Sequence, residues 1–193
     1  MRARFITPVG AALLLTCSLT ACGSSGNAGA FQPSGQPPSA TSAPAGGGAA
    51  GDPAAPPATM TTAQINTQVL ARYREYQRVY EQIYETNDPT PLAAVAIDPL
   101  LTIITKDVKD TAAKGEIWRF TNVLHPQIQG RSKDGAIVII LDCVRTLGAY
   151  RYSAKTGKRL GATSTGGTRL YQAVMKFTGG NWKISEGKQG KKC

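Results

Sequence analysis

The sequence predicts an α+β fold, helices first and an antiparallel sheet afterwards. Three observations predict it. Apolar residues recur at helical spacing between Thr61 and Gly115, β-type alternation takes over from Glu116, and the residues before Thr59 contain almost nothing that could enter a core. The chain therefore divides into residues 1–21, 22–59 and 60–193, and only the last has a globular composition.

Residues 1–21 read as an export signal. Arg2 and Arg4 supply the positive start, and Ile6 to Leu15 form an apolar core interrupted by Pro8. That core is shorter than the ~20 apolar residues a membrane helix needs, which disfavours the rival reading of an uncleaved anchor. Leu19-Thr20-Ala21-Cys22 resembles a bacterial lipobox. The resemblance implies a diacylglyceryl group on the Cys22 thiol and cleavage that makes Cys22 the new N-terminus. Two or more acyl chains anchor a protein stably where one holds it only marginally. Cys17 would leave with the signal, and its spacing from Cys22 fits neither a CxxC redox pair nor a usual zinc pair.

From Gly23 to Thr59 nearly every residue is Gly, Ala, Ser, Thr or Pro, with Asp52 the only charge. Such a segment cannot bury enough surface to offset chain entropy, so a disordered tether is expected. As a flexible coil it would span about 30–35 Å.

At Thr61 the character changes. Thr61-Thr62-Ala63-Gln64 matches a capping box. Ile65, Val69, Tyr73, Tyr76, Tyr80 and Ile83 then follow along one helical face, and Asn87-Asp88-Pro89 ends the helix. The tyrosines could form a binding stripe, but an apolar face packed with aromatic bulk is the favoured reading. A short apolar segment from Pro91 to Ile97 leads to Asp98-Pro99, an N-cap and first-turn pair for a second helix. Leu101, Ile104, Val108 and Ala112 carry that helix to a stop at Gly115.

The second half has a period of two. Glu116 to Gln129 alternates, Lys133-Asp134-Gly135 makes a turn, and Ala136 to Val144 is a nearly continuous β-branched run typical of a buried central strand. Strands follow at Tyr150 to Ser153, from about Arg159, at Thr168 to Thr178, and after Gly179-Gly180 at Asn181 to Ser185. Tyr171, Ala173, Met175 and Phe177 share one face, as do Trp182 and Ile184.

A long first helix, a second ending at glycine, and a meander closing with "GGNWKIS" resemble the nuclear transport factor 2-like superfamily. More narrowly, "DCVR", "TGK", "GGNWKIS" and a terminal cysteine are similar to small secreted or lipid-anchored proteins of actinobacteria. The resemblance covers roughly residues 61–193. It implies a cone in which helices cover the concave face of a bent sheet, sometimes around a pocket. In an oxidising compartment Cys143 and Cys193 are candidates to pair, and the resemblance supports that pairing. The group commonly carries an acidic residue two positions after the first cysteine; this chain has Arg145 there, so any role of that carboxylate does not transfer.

The chemistry is sparse. His125 is the only histidine, which leaves no histidine cluster for a metal, and its place before Pro126 suggests a structural or solvent-facing role. Gly161 to Thr168 has the length of a phosphate loop, but Gly167 stands where the lysine belongs and the segment joins strands, so a mobile hairpin link is expected. Enzymes of the superfamily, such as ketosteroid isomerase and scytalone dehydratase, place an acid or base inside the cone. By analogy Asp142, His125 or Tyr76 could serve, although Asp142 paired with Arg145 or Arg169 is the better expectation.

The net charge of +10 is dispersed: Arg2, Arg4 and Asp52 leave +1 on residues 1–59, and the remaining +9 arises beyond residue 59. With an export signal, anionic headgroups or wall polymers are more fitting partners than nucleic acid. These features lead to an expected lipid-anchored, non-enzymatic binding module on the outer face of a bacterial cytoplasmic membrane. It would have no cofactor or metal, and would bind the membrane through Cys22 and an envelope polymer or small apolar ligand through the domain. The alternative is a small-molecule isomerase or dehydratase working in the cone. A third possibility is electrostatic adhesion to anionic polymer.

Overall fold

The computed structural model describes residues 55–164 and 166–193. The export signal, Cys22 and most of the tether lie outside the described residues. The end of the tether does not: Pro57–Thr59 form a short 3-10 turn in which Pro57 is buried. The ordered domain thus begins a few residues before Met60, because Pro57 offers apolar surface beside Ile65 and Gly135.

Helix α1 spans Thr62–Thr86. Its capping box is formed as expected, the Gln64 N–H donating to Thr61 Oγ1 at 3.3 Å and the Thr61 N–H to Gln64 Oε1 at 2.8 Å. Asn87 closes it in the left-handed conformation. After a 3-10 turn at Thr90–Ala94, α2 runs from Leu100 to Ala113. Pro99, expected in the first turn, is itself the N-cap residue, and Asp98 one position earlier accepts from the Thr102 hydroxyl and N–H.

The sheet comprises β1 (Glu116–Val123), β2 (Pro126–Arg131), β3 (Ile137–Ser153), β4 (Arg159–Ser164), β5 (Thr168–Thr178) and β6 (Asn181–Gln189), antiparallel throughout. Two strand boundaries differ from expectation. The stretch read as one strand from Glu116 to Gln129 breaks at Leu124-His125, and its halves β1 and β2 pair with successive parts of one edge of β3. Conversely, the segments read as separate strands around Ala136–Val144 and Tyr150–Ser153 are one strand, β3, bent at an irregularity that contains Leu147 and Gly148. A bulge inserts residues without ending the ladder and increases the bend. It also changes the parity of the strand. Asp142, Val144 and Thr146 lie on the concave face before the bulge, and Ala149 and Arg151 on the same face after it.

Both irregularities strand backbone N–H groups, and carboxylates meet them. Asp142 Oδ1 accepts from the His125 N–H at 2.7 Å, at the break between β1 and β2. Glu81 Oε1 on α1 accepts from the Asn122 N–H at 2.7 Å, beside the bulge.

The core lies between α1 and one end of the sheet. Val69, Tyr73, Val79 and Ile83 pack with Val138, Ile140, Ala173, Met175, Trp182 and Ile184. The turn before α2 continues the sheet: Ile184 donates to Val95 O and accepts from the Ile97 N–H, both at 2.9 Å. That pairing covers the exposed edge of β6. Gly179 and Gly180 both take positive φ in the β5–β6 hairpin, as its tight turn requires.

Candidate functional site

Beyond the filled core the helices and the curled sheet diverge. They leave a cavity of about 950 Å³ open at one side. Its walls follow from the periodicities already described. Tyr76, Tyr80 and Tyr84 recur every four residues on α1, Leu100 and Ile104 come from α2, and Trp118 and Phe120 alternate into it from β1. The aromatic rings form one continuous wall: centroids lie 6.0 Å apart for Tyr76–Tyr80, 5.0 Å for Tyr80–Tyr84 and 5.6 Å for Tyr80–Phe120. The apolar reading of the α1 tyrosines holds for buried Tyr73, while Tyr76, Tyr80 and Tyr84 are packing and cavity wall at once.

Polar groups enter at specific places. The Tyr76 and Tyr171 hydroxyls meet at 3.3 Å. Tyr171 reaches that position across Gly187, where even a Cβ would lie 1.9 Å from its hydroxyl. Burial pushes the Tyr76 hydroxyl well above the ordinary phenol range, and that of Tyr171 up to about 12, so both remain neutral donors near neutrality. Tyr84 donates to the Asp107 carboxylate. Burial, reinforced by neighbouring Tyr80 and Asp107, raises Tyr84 further still.

Asp142 is placed differently from the acid/base expectation. It is fully buried but does not line the cavity. Its partners are the Tyr73 hydroxyl at 2.9 Å and the His125 N–H at 2.7 Å, so the expected pairing with Arg145 or Arg169 is not made. The cause is the kink before Pro126, where the otherwise free His125 N–H claims one oxygen. Gln77 donates to the Tyr73 hydroxyl at 3.0 Å, and Thr146 donates to Asn122 Oδ1 at 2.9 Å. Burial, then the adjacent Asp142, push the Tyr73 hydroxyl far above the ordinary range. His125 is exposed, with Nδ1 at 3.4 Å from the Cys143 carbonyl, and stands away from the cavity.

Cys143 and Cys193 are joined by a disulfide with Cα atoms 6.0 Å apart. The glycine-rich segment after β4 lines the rim through Gly166 and Gly167; Thr165 is outside the described residues. It is not a phosphate loop. Gly166 presses against β3, where an added Cβ would lie 1.8 Å from the Thr146 carbonyl oxygen, and the Thr146 N–H donates to Gly167 O at 3.1 Å.

Among the described residues there is no cluster of three or more His, Cys, Asp or Glu side chains able to hold a metal. Nor, among the described residues, is any helix long and apolar enough to cross a membrane.

No family model matches the chain, and no curated protein matches it either. Solved structures do. The intermembrane space region of the chloroplast protein ARC6 superposes with a TM-score of 0.54 at 17% identity, over 67% of this chain and 97% of that one. The fold is two helices packed on a curled antiparallel sheet, shared with that structure. Weaker likenesses include a scytalone dehydratase-like protein from Novosphingobium aromaticivorans (TM-score 0.48, 14% identity, 67% of this chain and 89% of that one). Another is Aln2 from a Streptomyces species (TM-score 0.45, 12% identity, 69% of this chain and 94% of that one). At these identities the likeness concerns the fold alone.

The cavity residues that sequence reasoning missed are Tyr84, Asp107, Trp118, Phe120 and the rim of β5 and β6. The repeat Tyr76-Tyr80-Tyr84 was the available signal, since tyrosines four apart present one wall with a polar edge.

Proposed function

We propose that the chain is a lipid-anchored, extracytoplasmic, non-enzymatic binding module, and that the cone cavity takes a small ligand with an apolar body. The observation that carries the binding role is the cavity of about 950 Å³ with its aromatic wall, a size and lining suited to small molecules. The carboxylates around it favour binding over proton transfer. Asp107 is engaged by Tyr84, Glu116 by Arg151 at 3.3 Å, and Asp142 serves the strand break. Anchoring rests on the sequence Leu19-Thr20-Ala21-Cys22 behind an apolar segment.

The isomerase or dehydratase reading has one observation in its favour. The Tyr76–Tyr171 hydroxyl pair offers neutral donors that could polarise a carbonyl.

Native mass spectrometry of the protein extracted from its own host tests the binding role. A small-molecule adduct is expected on the wild type and is lost in Ala149→Trp, which fills the cavity from β3. An adduct-free wild type, or one whose adduct survives that substitution, overturns the reading. Intact mass with Cys22→Ala as control tests the anchor: an unmodified wild type removes it. Release of a chemically altered ligand would favour the enzyme.

A further inference from the structure

Four cationic side chains, Lys114, Arg151, Arg169 and Lys192, line the cavity against two carboxylates, Asp107 and Glu116. Both carboxylates are occupied, by the Tyr84 hydroxyl and by Arg151. That leaves Lys114, Arg169 and Lys192 lining the cavity with no ion-pair partner among the described residues, Lys114 at the end of α2 and the other two on the sheet side. Arg169 shares the concave face of β5 with Tyr171, two positions on, and Lys192 lies beyond the end of β6.

Lys192 is held there by contacts on both sides of it. The Gly190 N–H donates to Leu170 O at 2.7 Å and the Leu170 N–H to Lys191 O at 2.9 Å, which docks the segment along β5. Immediately after Lys192, Cys193 is bonded to Cys143 on β3. A lysine on a free strand end loses much rotational freedom when it grips a ligand; here the backbone on either side is already fixed.

We propose that Arg169 and Lys192 form an anion-recognition subsite at the cavity mouth, with the Cys143–Cys193 bond as the clamp that positions Lys192. The ligand is then an amphiphile: an apolar body against Tyr80, Tyr84, Phe120 and Ile104, and a carboxylate or phosphate end group at the rim. This rests on the cavity being a ligand site, as proposed above. It adds the polarity and direction of the ligand, and a role for the disulfide beyond stability. Charge-assisted bonds are stronger than neutral ones, and at an exposed rim such as this they weaken with salt.

Fluorescence titration of the full chain, oxidised, with dansyl-undecanoic acid and with its methyl ester tests the subsite. The acid is expected to bind about tenfold tighter than the ester, the size of one charge-assisted hydrogen bond. Lys192→Gln and Arg169→Gln should each bring that ratio toward unity, and Lys192→Arg should restore it. Cys143→Ala with Cys193→Ser should lower the ratio as Lys192→Gln does; if that double variant does not fold, two glycines inserted between Lys192 and Cys193, which keep the bond but release the lysine from it, take its place. A monophosphate amphiphile in place of the acid distinguishes the two end groups.

Equal binding of acid and ester by the wild type, or an acid preference that survives both Gln variants, overturns the subsite while the cavity stands. A preference kept after loss of the disulfide, or after the glycine insertion, overturns the clamp. If neither probe binds, it is the cavity reading that fails.

Discussion

Tyr73 donates to Asp142 Oδ2 at 2.9 Å, and both side chains are fully buried. This bond joins the middle of α1 to the central strand, while the other oxygen of the same carboxylate holds the break between β1 and β2. One acidic side chain thus ties the helix layer to the point where the edge of the sheet turns.

Asp142→Ala leaves the Tyr73 hydroxyl and the His125 N–H without their acceptor. The Tyr73 hydroxyl is buried and the His125 N–H partly so; at about 1–3 kcal/mol for each orphaned group, a loss of about 2–6 kcal/mol is expected. Tyr73→Phe keeps the His125 bond and should cost less, about 1.5–3 kcal/mol. Urea unfolding of the three proteins checks the order. Equal midpoints would show that the carboxylate is not a structural tie.

The disulfide closes a loop with a sequence separation of 50. On the chain-entropy account its removal by Cys143→Ala with Cys193→Ser destabilises the domain by about 4 kcal/mol. The comparison is urea unfolding of the oxidised wild type against the double variant. A loss under about 1 kcal/mol would mean that unfolded-state entropy is not the source of its stabilisation.

Neighbouring glycines should respond unequally to alanine. Gly166→Ala drives a Cβ into the Thr146 carbonyl, whereas Gly167→Ala meets nothing within 4 Å. The first is expected to cost about 1–3 kcal/mol and the second less than about 0.5 kcal/mol. Gly187→Ala collides with Tyr171, chiefly its hydroxyl, so Tyr171→Phe in the same chain should return part of the loss. Thermal melts of the four variants decide this, and similar melting of Gly166→Ala and Gly167→Ala would contradict the close crossing.

Tyr171 titrates near 12 in the folded protein because it is buried, against about 10 for an unfolded tyrosine. For a group whose value is raised on folding, the stabilising share is complete below the unfolded value and lost as pH climbs through the folded one. Stability should therefore fall between about pH 10 and 12 as the unfolded chain sheds its phenolic proton first. Tyr73, Tyr76, Tyr80 and Tyr84 are raised too and add to the slope with the same sign. Urea midpoints across this range should fall less steeply in Tyr171→Phe, and an unchanged slope would count against a buried hydroxyl.

Where periodicity was strong the elements were legible before any coordinates. The capping box at Thr61–Gln64, the α1 face from Ile65 to Ile83, the stop at Gly115 and the Gly179-Gly180 hairpin all depend on residues within a turn or two of one another. The two errors in the sheet have a different origin. Alternation continues through Leu124-His125 and fades at Leu147-Gly148, so the residue pattern marks neither the break nor the continuity. Those depend on which strand lies alongside, and β3 templates β1 and β2 in turn.

The cavity belongs to the second kind of information. Trp118 and Phe120 carry no mark that separates a wall from a core, since both roles call for the same apolar surface. By itself the sequence determined the order of helices and strands, because local hydrogen bonding and side-chain period are set by adjacent residues. Tertiary structure alone decided that Asp142 would serve a backbone kink rather than a cavity, and that Lys192 would line the same cavity as Arg169. Those outcomes turn on the curl of a sheet, which sums small twists over strands far apart in the chain.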